Sequence, residues 1–76
     1  MQNRDRVEII KQILDIANGA EDITKTKLMY RAFLSYKQLK DHLALLAEYD
    51  LLRYSSLTHT YKTTEKGLDF FSSTIN

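Results

Sequence analysis

Residues 26–43, TKLMYRAFLSYKQLKDHL, decide the fold because they hold two helical patterns separated by a short break. The first pattern predicts a helix that is capped by Thr24 or Thr26 and continues to about residue 33. Ser35, followed three residues later by Gln38, has the form of a capping box and predicts a second helix to about residue 49. Two helices joined by so short a turn form a helix-turn-helix.

The spacing of the apolar residues indicates which side of each helix faces the core. In the first helix the expected inward residues are Leu28, Met29 and Ala32. In the second they are Tyr36, Leu39, Leu43 and Leu46. Leu45 departs from this pattern because it falls on the polar side of the second helix. It is either a surface leucine or a residue that packs beneath the wing.

The C-terminal part of the chain predicts a β-hairpin and a last helix. Two stretches rich in β-forming residues, 51–56 and 60–63, enclose a turn of a few residues. The last helix is expected to begin at Thr64 and to end at about residue 73. A helix-turn-helix followed at once by a hairpin is a winged helix. We therefore expect a mainly α fold with a small hairpin, namely a three-helix core, a wing and a C-terminal helix, in one domain of residues 1–76.

The N-terminal segment, residues 4–18, predicts a helix with an unusually wide apolar side. Its apolar residues fill about half of the circumference, whereas a surface helix needs an apolar stripe of about 100°. The surplus is expected to be buried against another helix of the same domain or against a second subunit. Asn18-Gly19 predicts the helix end, with Gly19 suited to the left-handed position there, and a one-bridge strand is expected near Ile23.

Composition excludes several classes of protein. The 76 residues include no cysteine and only two glycines, which excludes disulfide frameworks, thiolate metal sites and phosphate-binding glycine loops. No apolar run approaches the ~20 residues that span a bilayer, and we expect a cytoplasmic, DNA-associated protein without a membrane segment. His42 and His59 have a poor spacing for zinc, and no serine is linked to either by spacing. The sequence therefore predicts no enzyme activity, cofactor, metal or small-molecule substrate.

Positive charge is concentrated in the middle of the chain. The formal net charge is +1, but residues 23–43 carry five basic residues and one acidic residue, a local sum of +4. In a helix-turn-helix the N-terminal half of the second helix lies in the DNA major groove, against the edges of the bases. The sequence therefore predicts double-stranded DNA as the partner, with a solvated basic surface as the alternative for each residue.

The predicted DNA contacts fall into three groups. The N-terminal half of the second helix offers Lys37, Gln38, Lys40 and Asp41, where lysine suits guanine, glutamine suits adenine and aspartate suits cytosine. Contacts to phosphate are expected from Lys25, Lys27 and Arg31 through charge, and from Ser35 and Tyr36 through their hydroxyls. The wing is expected to contribute Arg53, His59 and Lys62, with Tyr54, Thr58 and Thr60 in support.

Three stretches carry a resemblance to a known family: RVEIIKQILDI at 6–16, TKLMYRAFLSYKQL at 26–39 and YKTTEKG at 61–67. With them the chain resembles the small archaeal winged-helix DNA-binding proteins, which include transcription regulators and the ten-a type of chromatin protein. The resemblance implies a winged helix, double-stranded DNA as partner and a homodimer. Many members dimerise through a long C-terminal helix, but only nine residues follow Gly67 here, too few for such a coiled coil.

The dimer contact is therefore expected on the wide apolar side of the first helix and on the C-terminal residues, namely Ile9, Ile13, Ile16, Phe70, Phe71 and Ile75. The family tends to have Gly or Asn where this chain has Asp50, and aspartate still tolerates the left-handed conformation at a helix end. The expected function is sequence-selective binding of double-stranded DNA by a dimeric transcription regulator. Two alternatives stay open: a winged helix for protein–protein contact, which Asp41 and Glu48 favour, and an architectural protein that coats DNA without sequence preference.

Overall fold

The computed structural model describes residues 5–20 and 23–73. Its elements, in chain order, are α1 (Arg6–Gly19), β1 (Ile23–Thr24), α2 (Lys25–Arg31), α3 (Tyr36–Glu48), β2 (Leu52–Ser55), β3 (Thr60–Thr63) and α4 (Glu65–Ser73). The strands within the described residues form an antiparallel sheet in the order β1-β3-β2. β2 and β3 are the predicted hairpin, and β1 pairs with β3. The predicted winged-helix fold, mainly α with a small hairpin, is confirmed.

Each of the first three helices begins with a side chain that accepts a backbone N–H. Asp5 caps α1, and Thr24 rather than Thr26 caps α2. The predicted capping box opens α3: the Gln38 N–H donates to the Ser35 hydroxyl at 3.2 Å, and the Ser35 N–H donates to the Gln38 side-chain oxygen at 2.9 Å. These reciprocal bonds satisfy two amides that would otherwise lack a helical partner, so they define where α3 starts.

The ends of α2 and α3 share one motif, in which the chain turns through a left-handed residue. That residue is Phe33 after α2 (φ 56°) and Asp50 after α3 (φ 58°). The next residues, Leu34 and Leu51, each donate their N–H to a carbonyl five residues earlier, at 3.1 and 2.8 Å. This is the Schellman arrangement. It confirms the end predicted at Asp50, whereas a phenylalanine in the left-handed conformation was not predicted.

The end of α1 differs from the prediction that Gly19 would be left-handed. Gly19 is the last residue of the helix, and neither glycine of the chain has a positive φ. The following residue, Ala20, is extended and donates its N–H to the Ile16 carbonyl at 3.2 Å. Because this bond is an ordinary helical one, α1 ends without a left-handed conformation at Gly19.

The core uses most of the wide apolar side of α1 within the chain itself. Ile13, Leu14 and Ala17 are buried, while Ile9 and Ile16 pack against the same cluster and are partly buried. The neighbours of α1 are β3, α4 and α2. Ile13 has no exposed surface, so the prediction that it contacts a partner subunit is wrong.

Two residues of α3 lie elsewhere than expected. Tyr36 is 55% exposed and is not part of the core. It is the first residue of α3, and its ring lies beside Lys25. The inward face of the helix begins with Leu39, which is fully buried. Leu45 is half-buried and lines a hollow with Ile10 and Phe70, so it packs between helices rather than beneath the hairpin.

The last residue of β3 and the residue that follows it connect the hairpin to the helices through hydrogen bonds. The Thr63 hydroxyl donates to the Leu14 carbonyl at 2.7 Å, and the Thr64 hydroxyl donates to the Asp50 carbonyl at 2.6 Å. The Thr64 hydroxyl also accepts the Gly67 N–H at 2.9 Å, so it caps α4. Gly67 needs no positive φ but needs to be small, because an added Cβ would overlap the carbonyl oxygen of Leu51.

We expect Gly67→Ala to lower the free energy of unfolding by about 3 kcal/mol, because the added methyl forces α4 away from the backbone of Leu51. Gly19→Ala is the matched control. No atom lies within 4 Å of its added Cβ, and the backbone there is helical, so the free energy of unfolding should rise by up to about 1 kcal/mol. Urea denaturation measures both changes. Equal effects of the two substitutions would contradict the contact assigned to Gly67.

Candidate nucleic-acid interface

The outer side of the helix-turn-helix is basic. Lys27 and Arg31 are exposed on α2, one helical turn apart. On α3 the exposed charged residues of the N-terminal half are Lys37, Lys40 and Asp41. Lys25 differs because it is half-buried, with its Nζ 5.4 Å from the centre of the Tyr36 ring. This cation–π contact joins the start of α2 to the start of α3.

The side chains predicted to contact bases already have partners within α3. Lys37 Nζ lies 3.5 Å from a carboxylate oxygen of Asp41, and the two side chains are 86% and 67% exposed. A pair so exposed contributes only roughly 0.3–0.5 kcal/mol, so Lys37 can exchange it for another anion at little cost. Gln38 uses its side-chain oxygen in the capping box. A bidentate contact with adenine needs that oxygen as well as the amide nitrogen, and would therefore release the Ser35 N–H.

His42 lies at the margin of α3, where its ring bonds to the backbone of the same helix. Its Nδ1 is 2.7 Å from the Gln38 carbonyl oxygen, which accepts only, so Nδ1 carries the proton. In residues 5–20 and 23–73, no three histidine, aspartate or glutamate side chains form a group that could hold a metal ion.

The outer face of the wing places two positive charges directly opposite each other. Arg53 on β2 and Lys62 on β3 are cross-strand partners, and both are exposed. The neighbouring Thr63 bonds to α1, so Arg53 and Lys62 point to the opposite, solvent side of the sheet. Like charges in this position destabilise a hairpin, and an anion between them relieves the repulsion.

The inner face of the wing is aromatic. Tyr54 and Tyr61 are cross-strand partners whose ring centres are 4.9 Å apart. The Tyr54 hydroxyl lies 2.9 Å from Nδ1 of His59, which has a φ of 58° in the hairpin turn. His59 therefore shapes the wing, as its backbone N–H also donates to the Ser55 carbonyl at 2.8 Å. Thr58 and Thr60, predicted to support the wing, bond to each other through their hydroxyls at 2.6 Å.

A hollow of about 480 Å³ separates the wing from the start of α2 and is lined by Thr24, Lys25, Thr26, Tyr54, His59 and Tyr61. Burial raises the pKa of the Tyr61 hydroxyl, while the nearby charge of Lys25 acts in the opposite direction. Lys25 thus faces both Tyr36 of α3 and the aromatic face of the wing. Tyr61 is not among the wing residues predicted to contact or support DNA binding, and its signal in the sequence is a second tyrosine across the predicted hairpin from Tyr54.

The structure places the predicted lysines and arginines of α2, α3 and the wing, apart from the half-buried Lys25, on the exposed surface of the helix-turn-helix and its hairpin. A family model described as winged helix-turn-helix matches residues 3–76. The chain belongs to the winged helix-turn-helix family. Membership of this family implies DNA binding. No curated protein matches the chain.

The apolar residues predicted for dimerisation belong to α1 and to the C-terminal part of the sequence. Phe70 and Phe71 of α4 are half-buried, and Ile75 lies outside the described residues. Phe70 lines an apolar hollow of about 340 Å³ with residues of α1 and α3. The helices of the described residues include none that is both long and apolar enough to span a bilayer.

We expect Lys62→Glu to weaken DNA binding while it raises the free energy of unfolding by about 0.5 kcal/mol, because it replaces a repulsive cross-strand pair with an attractive one. Lys66→Glu on α4 makes the same change of charge on the helix that lines the apolar hollow, and DNA affinity should remain near that of the wild type. Thermal unfolding and fluorescence anisotropy with a short duplex measure the two quantities. A stabilised Lys62→Glu variant with undiminished affinity would remove the wing from the interface.

Proposed function

We propose that residues 1–76 act as a single winged helix-turn-helix domain, which binds double-stranded DNA sequence-selectively. The domain regulates transcription by occupying its DNA site and catalyses no reaction. The observation that carries this proposal is the exposure of Lys37, Gln38 and Lys40 on the outer face of α3. This is the half of the helix that a winged helix presents to the major groove. A protein with this function is located on the DNA that contains its binding site.

Exposed basic residues on α2 and on the wing, the elements that precede and follow α3 in the chain, support this mode of binding. Lys27 and Arg31 stand one turn apart on α2 and neutralise one stretch of backbone, and Arg53 with Lys62 does so from the wing. At the start of α3 the Ser35 oxygen accepts a backbone N–H, which leaves its hydroxyl hydrogen to donate to phosphate. These contacts orient α3, and the bases next to Lys37 then determine the preferred sequence.

The proposal predicts different consequences for two pairs of substitutions. Lys27→Ala with Arg31→Ala should weaken binding to every duplex and reduce the slope of log K against log salt by about 2. Lys37→Ala with Gln38→Ala should mainly reduce the preference for a selected site over a scrambled one, by about 1–3 kcal/mol for each lost base contact. Selection of bound oligonucleotides followed by anisotropy in a salt series measures both.

Two controls keep this experiment informative. Circular dichroism checks that Gln38→Ala still folds, because it removes half of the capping box of α3. Lys66→Ala, which changes a lysine of α4, should leave the salt slope unchanged. Equal binding by the wild type and by the protein with all four substitutions would overturn the proposal. Absence of duplex binding at low salt, with a stable complex of another protein, would favour the protein–protein alternative.

Non-specific coating of DNA is the second candidate function, and one observation favours it. Gln38 is engaged in the capping box and Lys37 in an ion pair with Asp41, so the contacts that need no rearrangement are those to phosphate. Footprinting distinguishes the two functions: a regulator protects a discrete site, whereas a coating protein protects the duplex generally.

We also propose that the protein forms a homodimer through α1 and α4. The half-buried residues Ile9, Ile16, Phe70 and Phe71 support this contact, together with Val7, which is 47% exposed on α1. These side chains belong to α1 and α4, which pack against each other. A domain of this size has a small core, so a second subunit would add stability.

Sedimentation equilibrium should give twice the mass of one chain, and Phe71→Glu should shift the protein to the monomer because the partner would have to bury a carboxylate. Leu57→Glu places the same charge on a leucine of the wing turn that is 93% exposed, and should leave the mass unchanged. A monomeric wild type at the concentrations used for DNA binding would contradict the dimer.

A further inference from the structure

Three aromatic side chains are exposed at three-residue intervals across the turn between α2 and α3. They are Tyr30 (69% exposed), Phe33 (81%) and Tyr36 (55%), here called the aromatic ridge. Aromatic rings contribute strongly to stability when they are buried. The exposure of three in succession therefore indicates a role outside the core of the domain.

Phe33 combines this exposure with an unfavourable backbone conformation. Its φ of 56° lies in the left-handed region, which bulky side chains rarely adopt and which glycine or asparagine adopts at less cost. The Schellman turn after α2 needs only the backbone of this residue, whose N–H donates to the Tyr30 carbonyl at 3.2 Å. The ring is thus not required to end the helix.

Cations alternate with these rings along the chain. Residues 23–40 contain five basic residues and no acidic residue. Lys27 precedes Tyr30 by one helical turn, and the Lys25 ammonium lies 5.4 Å from the centre of the Tyr36 ring. Positive charge that follows a phosphate backbone, combined with rings on which bases stack, is the arrangement that binds single-stranded nucleic acid.

Duplex DNA does not explain the aromatic ridge. In a duplex the faces of the bases are stacked on one another, and the grooves and backbone offer edges, sugars and phosphates. Unpaired bases expose their faces, and every base can stack on a ring. We propose that the aromatic ridge binds single-stranded nucleic acid, with Phe33 and Tyr30 as stacking residues and Lys27 and Arg31 on the phosphates. This inference shares cations with duplex binding but does not rest on sequence-selective recognition.

The test is fluorescence anisotropy with a labelled oligothymidylate of about 12 nucleotides, a length that a small domain can cover, and with a hairpin duplex as the second probe. The wild type should bind both. Phe33→Gly should weaken binding to the single strand about tenfold or more, and affinity for the duplex should change by less than about twofold. Oligouridylate of the same length shows whether the site distinguishes DNA from RNA.

The melting temperature of Phe33→Gly serves as the control for folding. Because glycine relieves the left-handed strain, its melting temperature should rise, by about 5 °C, so that lost binding cannot be attributed to unfolding. Tyr30→Phe keeps the ring and should retain binding, whereas Tyr30→Ala should lose it. Tyr49→Ala removes a ring that is equally as exposed as that of Tyr36, but beyond the far end of α3, and should have no effect on the single strand.

Each outcome decides the proposal. Unchanged affinity of Phe33→Gly for oligothymidylate would overturn it, as would a wild type that binds the duplex but not the single strand. A change of solution mass in Phe33→Gly without a change in single-strand affinity would assign the aromatic ridge to a protein partner instead. Loss of duplex recognition alone, with single-strand binding that depends on Phe33, would overturn the proposed function and leave this inference standing.

Discussion

The backbone at Asp50-Leu51, where α3 ends and the wing begins, is the junction on which the rest of the domain depends. The Leu51 N–H donates to the carbonyl of Leu46 at 2.8 Å, and its own carbonyl accepts the Thr64 N–H at 3.1 Å. The Asp50 carbonyl accepts the Thr64 hydroxyl, and Gly67 allows α4 to approach the same backbone. Because the atoms that accept these bonds belong to the main chain, the angle between α3 and the wing is held without help from the exposed side chains.

The exposed residues of the helix-turn-helix and the wing are therefore not needed to hold this junction together. Arg53 opposes Lys62, Phe33 is both exposed and left-handed, and the ion pair of Lys37 with Asp41 is exposed to solvent. Each feature costs the isolated domain a little stability or contributes little to it. Local costs of this kind concentrate where a protein meets a partner. Here they lie on the helix-turn-helix and the wing, the elements that we propose to contact DNA.

Local patterns in the sequence predicted the elements well. The Ser35–Gln38 capping box, the end of α3 at Asp50 and the hairpin are confirmed because each depends on hydrogen bonds between residues close in the chain. The predictions that were wrong needed distant contacts. Ile13 is enclosed by other elements of the same chain, and the ring of Tyr36 lies beside Lys25 instead of in the core.

The sequence alone determined the order of the elements, the faces of the helices and the concentration of positive charge before and within α3, since these follow from residue type and spacing. Only the tertiary structure decided that Arg53 faces Lys62, that Gly67 has to be small and that Lys25 lies beside Tyr36 and lines a hollow with residues of the wing. The reason is that strand register and close packing bring together atoms that are far apart in the chain. No local spacing encodes those distances.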